Sequence, residues 1–251
     1  MADRVTVLST PIDRLDMDGT VAACERLIAA RTPSRHIAVN AAKLVAMRSD
    51  AKLREVVTTA DLISADGQAV VWASRLLGDP LPERVAGIDL MWRLLGSSEQ
   101  SGYRIFVLGA RSDVLAEAVT RIKRAFPRLA LTGSRDGYFG NAETQGVQEQ
   151  IRAAAPDILF VAMSSPRKEF FAADNAQALG VPLVVGVGGA LDVIAGHTNR
   201  APSFVQSLGL EWLFRLAQEP RRLARRYAVT NTRFIGAVAA DLIRRRRALT
   251  D

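Results

Sequence analysis

The stretch from Arg104 to Phe126, RIFVLGARSDVLAEAVTRIKRAF, reads as a strand, a glycine turn and a helix. Ile105 to Leu108 is a continuous apolar run, short and without the alternation of a strand that has one face in water. Gly109 ends it, and Ser112 or Asp113 stands where a helix cap belongs. Val114, Ala118, Ile122 and Phe126 then recur every four residues, the signature of an amphipathic helix. A strand apolar on both faces, joined to such a helix, is the repeating unit of a parallel sheet covered on both sides. The pattern recurs along the chain. Strand-type runs fall at His36–Val39, Leu62–Ala65, Arg104–Leu108, Ala130–Thr132, Asp157–Ala162 and Pro182–Val187, with helix-type stretches such as Ala142–Ala154 between them. The expectation is an α/β fold, a mostly parallel sheet with helices on both faces, whose ligands gather at the carboxyl ends of the strands.

The C-terminal end follows a different logic. From Leu213 to Asp251 there are ten Arg, no Lys and three acids, so the whole net charge of +7 sits on these last residues and the remainder is neutral. Such asymmetry implies an anionic partner met by one end of the molecule: a membrane surface, a diphosphate or nucleic acid. Trp212–Tyr227 reads as a helical segment broken by Pro220, and Thr232–Arg247 as a second helix ending in Arg244–Arg247. The simplest organisation is a catalytic body over residues 1–203 and a basic helical appendage over 204–251.

Composition narrows the chemistry. With 251 residues, 49% of them hydrophobic, the chain can bury a full core. The lone Cys24 rules out an internal disulfide and any cysteine-cluster metal site, and fits a reducing compartment. His36 and His197 are the only histidines, which disfavours zinc proteases and Ser-His-Asp hydrolases. No secretory signal is evident, and the apolar run Val181–Leu191 is far short of the ~20 residues needed to span a bilayer. The expected location is the cytoplasm, peripherally on the inner face of the membrane.

Several positions carry candidate chemistry, each with a plainer reading beside it. Asp66-Gly67 follows the strand-type run at 62–65, so Asp66 is either a turn residue or a carboxylate at the ligand edge. Asn40 ends another strand and either caps the next helix or bonds a ligand. Arg84, on the loop after Pro80 and Pro82, either forks onto a phosphate or carboxylate or is solvated. Gly109 opens a helix N-terminus that invites a phosphate, though the stretch is not G-x-G-x-x-G and a dinucleotide reading is weak. Asp136-Gly137-Tyr138-Phe139 is a turn followed by aromatics able to stack a base. Arg215, Arg222 and Arg225 would share one face of an unbroken helix, although Pro220 can equally sit in the first turn of a new one. Asp16-Met-Asp18 has the form of a metal-binding D-x-D, but Asp18-Gly-Thr before the apolar run from Val21 reads better as a helix N-cap.

Taken in order, these residues resemble the WecG/TagA/CpsF family, glycosyltransferase family 26. The matching blocks are Asn40, ADLISADG at 60–67, ERVAGIDL at 83–90, FVLGA at 106–110, DGYF at 136–139, GVGGALDVIAG at 186–196, RAP at 200–202 and GLEWLFRLAQEPRRLARRY at 209–227. The resemblance implies a Rossmann-like sheet, a C-terminal helical appendage that closes over the site, and inverting transfer from a UDP-sugar to a polyprenyl-diphosphate-linked sugar. It implies no D-x-D metal and no cofactor, cell-envelope polymers as products, and self-association. It gives Asp66 the place of the general base, with Asn40 beside it and Arg84 on substrate. Arg215, Arg222 and Arg225 match the arginines that hold diphosphate, and Gly109, Asp136, Tyr138, Gly186, Gly188 and Gly189 fall where the nucleotide lies.

This chain departs from the family pattern twice. The usual T-x-N is Ala38-Val-Asn40, and the usual P-K-Q-E is Pro166-Arg-Lys168-Glu169, placing a cation where a glutamine stands. Lys168 is therefore a candidate for pairing with a phosphate or a sugar carboxylate, and a glucosyl or uronosyl donor is expected at least as much as N-acetylmannosamine. The alternative from another class is a non-catalytic nucleotide- or nucleic-acid-binding module with a basic arm. The tail aromatics fall mostly at core-like helical positions, so nucleic acid is not the expected partner.

Overall fold

The computed structural model describes residues 3–207 and 209–247, apart from the side chains of residues 203, 207, 222 and 226. A hairpin, β1 (Arg4–Val7) and β2 (Thr10–Asp13), leads into α1 (Met17–Ala30). Next come β3 (Ser34–Val39), α2 (Ala41–Ala46), α3 (Ala51–Thr58), β4 (Leu62–Ala65), α4 (Gln68–Leu76) and α5 (Gly87–Ser101). The second half runs β5 (Ile105–Gly109), α6 (Ser112–Ala125), β6 (Leu131–Arg135), α7 (Thr144–Ala154), β7 (Ile158–Ala162), α8 (Arg167–Leu179), β8 (Leu183–Gly186) and α9 (Ala190–Ala195). The chain then passes through α10 (Ser203–Ser207), α11 (Glu211–Gln218) and α12 (Pro220–Arg247).

β3 to β8 form one six-stranded sheet in the order β4-β3-β8-β7-β5-β6, every pairing parallel. All six overlap the runs expected from sequence, β6 reaching on to Arg135 where Ala130–Thr132 was expected. β5, β7 and β4 are buried at every position, as strands covered on both faces must be. One face packs on α1, α5, α6 and α9 through residues such as Leu94, Ile105, Phe160 and Leu191; α2, α3, α4 and the hairpin close the sheet elsewhere around Leu44, Leu53, Ile63 and Val70.

The sequence pattern had not announced the hairpin. Its turn residues Leu8 and Ser9 both have positive φ, the geometry usually signalled by Asn-Gly, and each strand is four residues long. It blunts the exposed edge of the sheet: Asp13 Oδ2 accepts from the Ile63 N–H of β4 at 2.7 Å.

The C-terminal end also differs from expectation. The helical segment is broken at Pro220 as expected, α11 ending at Gln218, but Pro220 opens α12, which runs on to Arg247 with no second start at Thr232. A proline in the first turn sacrifices no helical hydrogen bond and has its φ already set. Phe234, Ala237 and Val238 on α12 are buried, and Phe234 and Val238 pack with Val5, Leu44 and Val71. The run at Arg244–Arg247 is in part structural. Arg244 pairs with the buried Asp241, and Arg245 donates to Leu77 O at 3.1 Å and Thr6 O at 2.9 Å.

Candidate active site

Each loop leaving the carboxyl end of the sheet carries residues singled out from sequence. At the end of β3, Asn40 caps α2, its Oδ1 accepting from Lys43 N at 3.0 Å, so the capping role holds. At the end of β4, Asp66 follows directly, and its N–H donates to Val39 O at 2.8 Å. Gly67 lets the two strand ends close up, because a Cβ there would stand 3.3 Å from Asn40 Cβ. Asn40 and Asp66 are therefore neighbours.

The Arg84 loop folds back onto the same strand end. Val85 N–H donates to Ala65 O at 2.8 Å, and Gly87 N–H, in the first turn of α5, donates to Asp66 Oδ1 at 3.1 Å. Asp66 is half-buried, and burial raises its carboxyl above the ordinary aspartate range. The Gly87 N–H, Arg84, Lys43 and Arg215 pull the other way without cancelling that effect. Arg84 and Arg215 are thus both close enough for Asp66 to feel their charge. They are linked through Glu211 of α11, whose carboxylate meets Arg84 Nη1 at 2.5 Å and Arg215 Nη2 at 3.5 Å.

Behind Asn40 lies a buried group that sequence reasoning missed. Lys43 Nζ sits 2.6 Å from Glu169 Oε1 and donates to Ala38 O at 2.6 Å; Lys168 Nζ approaches the same Glu169 oxygen at 2.9 Å. Burial lowers the Lys43 ammonium to about 8, and Lys168 adds to that effect. Burial alone would raise Glu169, but the two ammonium groups outweigh it and hold the carboxyl down at about 2. Lys168 lies across the end of β8: a Cβ on Gly186 would come within 3.2 Å of Lys168 Cε, and one on Gly188 within 4.0 Å of its Nζ. Gly188 has φ +56 and Gly189 precedes α9.

At the other half of the sheet, Gly109 has φ +137, and a Cβ there would lie 2.3 Å from Ala162 O, so only glycine fits. Gly137 packs against it, its own Cβ position 3.0 Å from Gly109 Cα. Asp136 Oδ1 accepts from Tyr138 N at 3.0 Å, which turns Tyr138 outward, 73% exposed. Gly109, Asp136 and Tyr138 therefore form one cluster, and Asn40, Asp66, Arg84 and Arg215 form another. Lys168, Gly186 and Gly188 lie at the ends of the strands between them.

Two expectations resolve differently, the arginine face and the aspartate of the D-x-D pair that caps the helix. α11 ends at Gln218 and α12 starts at Pro220, so Arg215 and Arg225 stand on separate helices and the single-helix face is not realised. Arg225 is exposed, and the side chain of Arg222 lies outside the described residues. Of the D-x-D pair, Asp16 caps α1, accepting from Gly19 N at 2.7 Å, while Asp18 pairs with Arg93. His36 is a core residue, its Nε2 2.9 Å from Ser64 Oγ.

The sequence profile of the glycosyl transferase WecG/TagA/CpsF family matches residues 5–248. The chain belongs to this family. It is similar to the N-acetylglucosaminyldiphosphoundecaprenol N-acetyl-beta-D-mannosaminyltransferase of Bacillus spizizenii, 40% identical over 174 residues, 69% of this chain and 67% of the relative. As a member of the WecG/TagA/CpsF family it is a glycosyltransferase. Among the described residues no helix is long and apolar enough to cross a membrane.

Lys43, Glu169 and Glu211 had escaped the sequence reading. Glu169 was in view as the last residue of the altered P-R-K-E block, and Glu211 as an acid one helical turn before Arg215 in a tail poor in acids. Nothing local pointed to Lys43.

Proposed function

We propose that this glycosyltransferase inverts the anomeric centre of a UDP-sugar and transfers the sugar to a polyprenyl-diphosphate-linked acceptor in the synthesis of a cell-envelope polymer, such as an exopolysaccharide or capsule. The observation that carries this reading is the place of Asp66: a half-buried carboxylate directly after β4 at the ligand edge of the sheet, held by the Gly87 N–H, with the charges of Arg84 and Arg215 acting on it. The relative that acts on N-acetylglucosaminyldiphosphoundecaprenol supports the acceptor class. Residues 1–203 would form the catalytic body and 204–251 the basic appendage, which brings cations to the site and to an anionic membrane surface. Self-association would bury apolar surface such as Trp72 and Leu76.

In the reaction, Asp66 takes the proton of the acceptor hydroxyl as its oxygen attacks the anomeric carbon. The bond from that carbon to the UDP oxygen breaks on the opposite face, and UDP leaves with the electron pair. Because its carboxyl is raised, Asp66 is a better proton acceptor than a solvated aspartate, and a positioned base of this kind contributes ~10²–10⁴-fold. Arg84 and Arg215, with Arg222 and Arg225, would grip the diphosphate, since planar guanidinium groups match phosphate oxygens bidentately and stabilise the departing charge. Asn40 would orient the acceptor. Gly109, Asp136, Tyr138 and the turn at Gly186, Gly188 and Gly189 would hold the nucleotide, Tyr138 as a stacking surface. Lys168 would face the diphosphate or a donor carboxylate, which admits a hexose, a uronic acid or an N-acetylhexosamine.

A thermal-shift and hydrolysis panel of UDP, UDP-glucose, UDP-glucuronate, UDP-N-acetylglucosamine and UDP-N-acetylmannosamine, with and without EDTA, tests the reading. Stabilisation by UDP and one sugar nucleotide, unaffected by EDTA, is expected. No response to any uridine nucleotide contradicts it and makes nucleic acid the next ligand to try.

A further inference from the structure

Arg84 rides on the loop whose Gly87 N–H donates to Asp66 Oδ1 at 3.1 Å. Asp66 feels its charge, yet the ion pair it forms is with Glu211, 2.5 Å from Nη1. Both side chains of that pair are mostly buried, 15% and 14% exposed, where a guanidinium without an anionic partner is costly. The other Glu211 oxygen faces Arg215, four residues on in α11.

We propose that Glu211 is a positioning residue whose carboxylate holds Arg84 off Asp66 and so keeps Asp66 open to the acceptor hydroxyl. The idea rests on the assignment of Asp66 as the base. A guanidinium has five N–H donors, so a bond to Glu211 leaves others for a diphosphate. Without the Glu211 charge, the carboxylate already in electrostatic contact with Arg84 is Asp66. An Arg84–Asp66 ion pair would occupy the oxygen that must accept a proton and make it a weaker base. The other groups acting on Asp66 are the Gly87 N–H of α5, Arg215 of α11, and Lys43 of α2, which is backed by Glu169 and Lys168 of α8. None of these changes when Glu211 is replaced except Arg215, which loses the same partner and can only add to the downward pull. Glu211 also lies on the appendage, so docking of that segment and readiness of the base become one event.

The test is the pH profile of kcat/KM for the full chain, E211Q, E211D and D66N. It uses the sugar nucleotide selected by the panel above and a polyprenyl-diphosphate-linked N-acetylglucosamine acceptor. For E211Q the acid limb should move down by about one pH unit or more, with kcat reduced at least tenfold. E211D, which keeps the charge, should return the limb toward wild type. A melting curve on each variant checks folding. Rate lost in E211Q with an unmoved limb would mean that Glu211 only fastens the appendage, and unchanged kinetics would mean that it does nothing; either overturns the proposal. If D66N keeps the acid limb, the base is misassigned, and the role of Glu211 falls with it.

Discussion

Lys43 and Glu169 form a buried ion pair at 2.6 Å beneath Asn40, the two side chains 4% and 1% exposed. It joins α2 to α8 and so fixes the end of β3 relative to the loop after β7. Breaking such a pair from one side leaves an uncompensated charge, whereas removing both partners often costs little. E169Q should therefore destabilise the fold by about 3 kcal/mol, and K43M/E169M by less, measured by urea unfolding. Glu169 is depressed to about 2, so its contribution is fully present above the unfolded carboxyl's range near ~4.3 and is lost as pH falls through about 2. E169Q should flatten the acid side of the stability curve.

His36 gives a second pH signal of different origin. Burial, aided by Lys43, lowers its imidazole to about 3. Between ~6.5 and about 3 the unfolded chain binds a proton that the folded one does not, so stability falls as pH drops through this window. H36Q should weaken the dependence of Tm on pH between 6.5 and 4, whatever its effect at neutral pH.

The place of α12 in the core is testable by contrast. Phe234 is 5% exposed among hydrophobic neighbours, while the adjacent Ile235 is 66% exposed. F234A should cost about 3 kcal/mol or more in chemical denaturation, and I235A should stay within about 0.5 kcal/mol. Equal, small effects would show that α12 does not belong to the cooperative unit.

Legibility in the sequence followed the range of the interactions. β4, β5 and β7 were legible because fully covered parallel strands are continuous apolar runs, as Ile105–Leu108 and Ile158–Ala162 show. Asp66 and Asn40 were legible as strand-end residues, and their adjacency follows from the parallel pairing of β3 with β4. The hairpin was hidden because Leu8 and Ser9 adopt a turn without its usual residues. Pro220 was legible as a break before a new helix, but the run of α12 past Thr232 comes with the packing of Phe234 and Val238 against distant residues, which no local pattern carries. Lys43–Glu169 and Arg84–Glu211 join residues far apart in the chain, where no periodicity or motif connects them.

The most direct test of the central claim is the D66N variant. Asn keeps the size of the side chain and can still accept from Gly87 N–H, but it cannot take a proton from the acceptor hydroxyl. Transfer to a polyprenyl-diphosphate-linked sugar should fall by ~10²–10⁴-fold in kcat, with UDP affinity and melting temperature close to wild type. Turnover at the wild-type rate with Asn at this position would show that Asp66 is not the base.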